Sequence, residues 1–440
     1  MAQSRATRSA AKARSVRNAD WAFHASDAAV FAALASGRRV ASLREYFGAP
    51  AYAELCSLAA AKKKAHKRRG PSVLILPGIM GSRLGGRMPL TNRRGVSRRS
   101  SVLWIDPLEI AAGRLTAMRL PSNQPLEPQG VLLFSYAKLK LQLELAGCDA
   151  SFHCYDWRLG IDELGAQLAA RISAHGRPLV LIAHSMGGLV ARAAARLLPK
   201  PLLRKLIMLG APNQGSFAPV QALRGTYPFV RNLSTLDRKH SAEHLAQQVF
   251  CTFPGLYHML PRQRIKGLDL YDARSWPADG PVPDSQLLSA AETAARAWAP
   301  ADSRMVHIIG VNQETVVDLR RTASGFEYVM DRNGDGTVPL KSARLPKLKC
   351  LFVDEAHADL ATNPRVIQAI IDLVHRGRTA ALPHRWRARP GVRRRISDAK
   401  LREAGKHKID WLHLTPAQRE AVFAELDSGR LLPAARHPIA

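Results

Sequence analysis

The chain has 440 residues, 46% of them hydrophobic, which excludes disorder throughout and allows one large elaborated domain or two ordinary ones. Its formal charge of +30 gathers at the ends, with roughly ten excess positive charges in the first 70 residues and roughly nine in the last 65. Basic ends attract polyanions, and an anionic membrane gains about 1 kcal/mol per nearby Lys or Arg; a merely solubilising surface is the equal alternative, and nucleic acid is the less favoured partner.

Cys56, Cys148, Cys154, Cys251 and Cys350 are odd in number and show no CxxC spacing, which argues against a disulfide framework or zinc site and for a reducing, cytoplasmic setting. The first twenty residues lack the apolar segment of a secretory signal, although their Arg, Ser and Ala with no acid before Asp20 are similar to a mitochondrial transit peptide. No run reaches the 18 or so apolar residues of a spanning helix.

In chain order, DAAVFAALASG and AYAELCSLAAA have helical periodicity, and KKKAHKRRGP is expected to break it as a linker. PSVLIL then reads as a buried strand running into the loop PGIMGS. VLLFSYAKLKLQLELAG reads as an amphipathic helix, SFHCYDW as a strand and IDELGAQLAARISAHG as a helix. LVLIAH and KLIMLG are strands on either side of the helix GLVARAAARLL. MVHIIG and KCLFVDE are further strands, and PRVIQAIIDLVHRG is the closing helix. This alternation predicts an α/β fold with a mostly parallel sheet covered by helices on both faces. Residues 217–302 are too long for a connection and are expected to form a cap. Beyond 377 come the basic stretch HRWRARPGVRRR and a helix expected from Thr415, with Thr415 as N-cap and Pro416 in the first turn. The expected divisions are a basic, partly helical extension at 1–70, a domain at 71–376 and a basic tail at 377–440.

In AHSMGG, Ser185 stands between strand LVLIAH and the following helix. A nucleophilic serine there sits on a strained turn, so the residues two before and two after must be small; Ala183 and Gly187 satisfy this, with Ala183 a mild departure from the usual GxSxG. Nucleotide-binding folds also make tight strand-to-helix turns, so the five residues alone leave the choice open. The partners decide it. A serine hydroxyl needs a base, an orienting carboxylate and an oxyanion hole, in the order Ser, Asp, His along such a chain. Asp335 in DRNGDGTVPL and His357 in VDEAHADL follow in that order, with Asp354 or Asp359 as alternative carboxylates. DRNGDG also matches half of a calcium loop, but its twelfth position is Ser342 rather than Glu. The backbone N–H of Met186 and that of Met80, in the glycine-flanked loop 77–82, are the candidate oxyanion donors.

Taken together, PGIMGSRL, LWIDP, YDWR, AHSMGGLVAR, GAPNQGS, GDGTVP and AHADL resemble the lecithin:cholesterol acyltransferase family over about residues 72–376. The resemblance implies an α/β-hydrolase fold with Ser185 as nucleophile, Asp335 as acid, His357 as base and Met80 and Met186 as oxyanion donors. It implies a mobile lid at about 83–130 carrying Trp104, and an acyl-chain groove capped by 217–302. Asp156, Trp157 and Arg158 are expected near the site, more as support than as direct contacts. The implied chemistry is transfer of an acyl chain from an ester lipid to water or an alcohol, with no metal or organic cofactor. An esterase of smaller esters and a non-catalytic docking scaffold are the alternatives. Residues 84–147 contain no cysteine, a departure from the lid disulfide of the secreted members, and the basic ends lie outside the resemblance.

Overall fold

The computed structural model describes residues 21–422, apart from 66–69, 93–94, 123, 295–297, 392, 404–405, 416–417 and 420–421. The transit-peptide-like segment, part of the linker and most of the C-terminal helix lie outside the described residues.

Six strands form a parallel sheet: β1 (Ser72–Leu76), β5 (Asp149–Phe152), β6 (Leu179–His184), β7 (Leu203–Leu209), β8 (Met305–Gly310) and β11 (Lys349–Val353), ordered β11-β8-β7-β6-β1-β5. β6 and β8 are buried along their whole length. A strand covered on both faces reads as an unbroken apolar run, which is why LVLIAH and MVHIIG were legible as strands. Two small antiparallel sheets lie outside this core. One joins β2 (Ser82–Asn92), β3 (Gly95–Trp104) and β4 (Glu127–Val131); the other joins β9 (Thr315–Thr322), β10 (Gly325–Asp331) and β12 (Arg394–Ser397).

Among the described residues, four helices precede the sheet: α1 (Trp21–His24), α2 (Asp27–Ser36), α3 (Val40–Phe47) and α4 (Ala49–Lys64). The lysine run expected to break the pattern instead finishes α4. Lys62, Lys63 and Lys64 occupy its last turn, where positive charge complements the helix dipole. Next come α5 (Pro107–Ala111), α6 (Leu133–Leu145), α7 (Ile161–His175) and α8 (Met186–Leu197). α6 begins two residues later than expected, because Val131 pairs with Ser82 in the β2–β4 ladder. The expected strand SFHCYDW ends at Phe152. Beyond it the chain turns towards Ser82, whose Oγ accepts the Tyr155 N–H at 3.1 Å.

Residues 217–302 form a mainly helical layer, with α9 (Ala218–Leu223), α10 (Pro228–Leu236), α11 (Ala242–Gln248), α12 (Pro254–Tyr257) and α13 (Ser285–Ala294). The short α14 (Leu340–Ala343) precedes β11, and α15 (Pro364–Arg376) closes the sheet. In α15, Pro364 is in the first turn, the Asn363 side chain accepts the Arg365 and Val366 N–H groups, and Gly377 ends the helix with φ 71°.

Both flanks are built into this body. Arg83, 2% exposed, pairs with Asp27 at 2.7 Å and donates to the carbonyls of Phe23 and Ala25. After β12, α16 (Asp398–Glu403) begins at a fully buried Asp398, which accepts from Arg224 Nε, the Phe326 N–H and the Tyr328 hydroxyl. The two flanks also meet, through a buried Arg419–Glu45 pair at 3.2 Å.

Candidate active site

At the turn from β6 into α8, Ser185 has φ 53° and ψ −125°, a conformation that costs a non-glycine residue and persists only where surroundings enforce it. Its N–H donates to the Leu209 carbonyl at 2.8 Å, holding the turn against β7. The need for a small residue two places later is literal: a Cβ on Gly187 would lie 2.5 Å from the Pro77 carbonyl oxygen. The hydroxyl stands out from the turn, and His357 Nε2 lies 2.9 Å from Ser185 Oγ.

His357 is presented by the loop after β11. Its Nδ1 lies 2.8 Å from Asp335 Oδ2, and its own N–H donates to the Asp335 carbonyl, also at 2.8 Å. Asp335, 1% exposed, accepts the N–H groups of Thr337 and Val338 on Oδ1. Both carboxylate oxygens are therefore engaged within the protein, which removes Asp335 from the calcium-loop reading. The alternative partner Asp354 is turned to Arg389 at 2.7 Å. Asp359 begins the turn leading into α15, where its carbonyl accepts the Thr362 N–H.

The loop after β1 faces the serine from the other side. Met80 has φ 63°, and its carbonyl accepts from Trp104 Nε1 at 2.8 Å, which fixes the orientation of the adjoining peptide. Two of the four residues of YDWR brace this loop, and the other two form a pair beside it. The Tyr155 hydroxyl donates to the Pro77 carbonyl at 2.7 Å, and Trp157 Nε1 donates to the Ser82 carbonyl at 3.0 Å. Arg158 clamps Asp156 through two nitrogens and donates to the Met118 carbonyl. Trp104 and Trp157 pack edge-on with centroids 5.1 Å apart. Trp104 lines the cavity over the serine, whereas Asp156, Trp157 and Arg158 are absent from its lining.

Sequence reading missed the group that joins the two loops. His184 Nε2 lies 3.0 Å from the His357 carbonyl, which only accepts, so Nε2 carries the proton. Nδ1 is then the acceptor for the Tyr136 hydroxyl at 2.9 Å, and Tyr136 Oη in turn accepts the Gly78 N–H at 2.9 Å. Burial, reinforced by the neighbouring His357, pushes the His184 pKa down to about 3. The His184 ring, whose centroid lies 4.9 Å from that of His357, therefore remains neutral. No spacing rule links Tyr136 to His184 across 48 positions. A second buried histidine, His307 on β8, accepts the Ala211 N–H and is likewise pushed down to about 3, chiefly by burial.

These groups border a cavity of about 600 Å³ containing Ser185 and His357 in its lining. Its apolar wall draws on Ile105 and Phe134, on Phe229 and Met259 from the helical layer, and on Ile396 and Leu401 from the C-terminal segment. That last contribution was not read from the sequence. Among the described residues no cluster of three His, Cys, Asp or Glu side chains is arranged for a metal, no helix is long and apolar enough to cross a membrane, and the five cysteines are free.

Several solved structures are similar to the chain. The mature lipase BlEst2 of Bacillus licheniformis is 14% identical, with 71% of this chain and 94% of that one covered and a TM-score of 0.36. The Tle4–Tli4 complex gives 12%, 70%, 99% and 0.40, and the phospholipase PlaB of Legionella pneumophila gives 13%, 70%, 60% and 0.31. No curated protein matches. The assignment rests instead on the family model for lecithin:cholesterol acyltransferase, which matches residues 147–380, more than half of the sequence and the part that contains Ser185, Asp335 and His357. The chain belongs to the lecithin:cholesterol acyltransferase family and has the α/β-hydrolase fold.

Proposed function

We propose that the protein is a serine-dependent lipid acyltransferase or phospholipase, in which His357, oriented by Asp335, takes the Ser185 proton as Ser185 attacks an ester carbonyl. The carbonyl π pair moves onto its oxygen, and the N–H groups of Met80 and Met186 receive the oxyanion, each donor contributing roughly 3 kcal/mol to the transition state. Collapse expels the alcohol, protonated by His357, and leaves an acyl-serine. Water or an acceptor alcohol then gives its proton to His357 and takes the acyl group, and His357 returns that proton to the departing Ser185 Oγ. The single observation that carries this reading is the continuous Ser185–His357–Asp335 contact within one largely apolar cavity.

The cavity's size and lining suit an acyl chain better than a small polar ester, which favours a lipid donor over the smaller-ester alternative. In this reading residues 83–130, bearing Trp104, act as the lid and 217–302 as the cap of the chain-binding groove. The test is to trap the intermediate: mix the protein with a long-chain ester, quench in acid and map peptides by mass. An acyl increment on the Ser185 peptide is expected, and its partition between free acid and alkyl ester when an alcohol is added measures hydrolase against transferase. Turnover with no acyl increment on that peptide would contradict the mechanism.

A further inference from the structure

The family match ends at residue 380, yet the chain beyond it helps to build the catalytic cavity. β12 adds to the β9–β10 hairpin, with Arg394 opposite Met330 and Ile396 opposite Tyr328. Asp398, immediately after the strand, is locked by Arg224, Tyr328 and the Phe326 N–H, so β12 is fixed from within the core. Arg394, Ile396 and Leu401 all line the cavity that contains Ser185. Ile396 and Leu401 extend its apolar wall.

Arg394 differs from every other residue of that lining. Among the described lining residues it is the one Lys or Arg, and its side chain is 55% exposed, which sets it where the cavity meets solvent. It belongs to a stretch in which Arg385, Arg387, Arg389, Arg393, Arg394 and Arg395 are all exposed. That stretch crosses the end of the sheet that carries the catalytic loops: the Arg389 N–H donates to Asn312 Oδ1 just after β8, and Arg389 pairs with Asp354 just after β11. Arg394 is paired with Glu314, which lines the same cavity. The guanidinium is thus held in place by a partner that another anion can replace.

Building on the function proposed above, we infer that Arg394 receives the phosphate of a phospholipid headgroup while the acyl ester lies at Ser185, so that the C-terminal segment sets substrate preference. A planar guanidinium matches two phosphate oxygens at once, and a single positive residue at the solvent end of an apolar slot suits a ligand with one anionic group and a hydrocarbon remainder. Displacing Glu314 from Arg394 leaves that carboxylate exposed to water, which limits the cost of the exchange.

The test compares two short, soluble esters with the same acyl chains, dihexanoyl phosphatidylglycerol and dihexanoylglycerol, and reads the ratio of their kcat/KM values. Arg394→Ala is expected to lower the phosphate-to-neutral ratio about tenfold or more, Arg394→Lys to restore part of it, and Glu314→Gln to raise it. Arg387→Ala removes the same charge outside the cavity and should leave the ratio unchanged. An unchanged ratio in Arg394→Ala, or an equal fall in Arg387→Ala, would overturn the assignment. Inorganic phosphate separates a headgroup from a free anion: Arg394-dependent inhibition of neutral-ester turnover by millimolar phosphate would indicate a free-anion site and overturn the headgroup reading. Fluorophosphonate labelling of the same preparations distinguishes the two levels of failure. A protein that neither labels nor cleaves either ester refutes the proposed function and this inference together, whereas a labelled, active protein with an unaltered ratio refutes the phosphate site alone.

Discussion

Replacing Tyr136 by Phe isolates the hydrogen-bonded path between the oxyanion loop and the histidine loop. The ring and its packing against His184 are kept, and one oxygen is lost. In the folded protein that oxygen accepts the Gly78 N–H and donates to His184 Nδ1, both at 2.9 Å and both in buried surroundings. Each buried partner left without its bond costs about 1–3 kcal/mol, so the variant should lose roughly 2–6 kcal/mol of stability, a large share of the total for a domain. The functional effect runs through position. Gly78 lies two residues before Met80, and a Met80 N–H displaced from the oxyanion should lower kcat by about ten- to a hundredfold while KM moves little. Urea unfolding followed by far-UV circular dichroism, with steady-state turnover of a soluble ester, measures both effects. A variant within about 0.5 kcal/mol of wild type and with unchanged kcat would refute the reasoning, because the hydroxyl would then hold neither loop.

Other substitutions and pH give independent checks. Asp335→Asn keeps the shape but places an N–H₂ or a weaker acceptor against His357 Nδ1, and kcat should fall about 10³- to 10⁴-fold with the fold retained; a loss below tenfold would exclude Asp335 as the orienting group. Gly187→Ala places a Cβ 2.5 Å from the Pro77 carbonyl oxygen, so the elbow must shift, with a loss of roughly 1–3 kcal/mol and reduced fluorophosphonate labelling. Normal labelling would show that the turn is not so confined. His184 and His307 are held neutral when folded, with pKa values near 3, and gain protons readily when unfolded. Their contribution to stability is thus complete above about pH 6.5 and is lost as pH falls towards 3, at about 2 kcal/mol each by pH 5. The urea midpoint should drop from pH 7.5 to 5, and His307→Asn should reduce the slope by about one proton; an unchanged slope would contradict a neutral buried His307.

The features legible in the sequence are those that short segments determine. β6 and β8 have no exposed face, so their mainly apolar runs announced a buried parallel sheet, and the small residues around Ser185 reflect a clash that the turn itself imposes. Chain order on such a sheet limits where partners of Ser185 can fall, and Asp335 and His357, which follow in that order, are in contact with each other and His357 with Ser185. Features made by distant segments were not legible. Tyr136 meets His184 through the packing of α6 beside the β1 loop, and Arg394 reaches the cavity only because β12 pairs with β10. The C-terminal arginines accordingly read as a charged tail, since composition conveys the sign of a segment and not its address. The lysines after Ala61 misled for a local reason: charge that interrupts an apolar pattern also completes a helix C-terminus.

The central claim, that Ser185 is a nucleophile activated by His357, is tested most directly by intact mass after treatment with a fluorophosphonate, comparing wild type, Ser185→Ala and His357→Ala in the presence of detergent. The account predicts one phosphonyl adduct on wild type, none on Ser185→Ala and labelling slowed by at least a hundredfold, to order of magnitude, on His357→Ala. A folded wild type that takes no adduct, or an adduct that persists in Ser185→Ala, would contradict it.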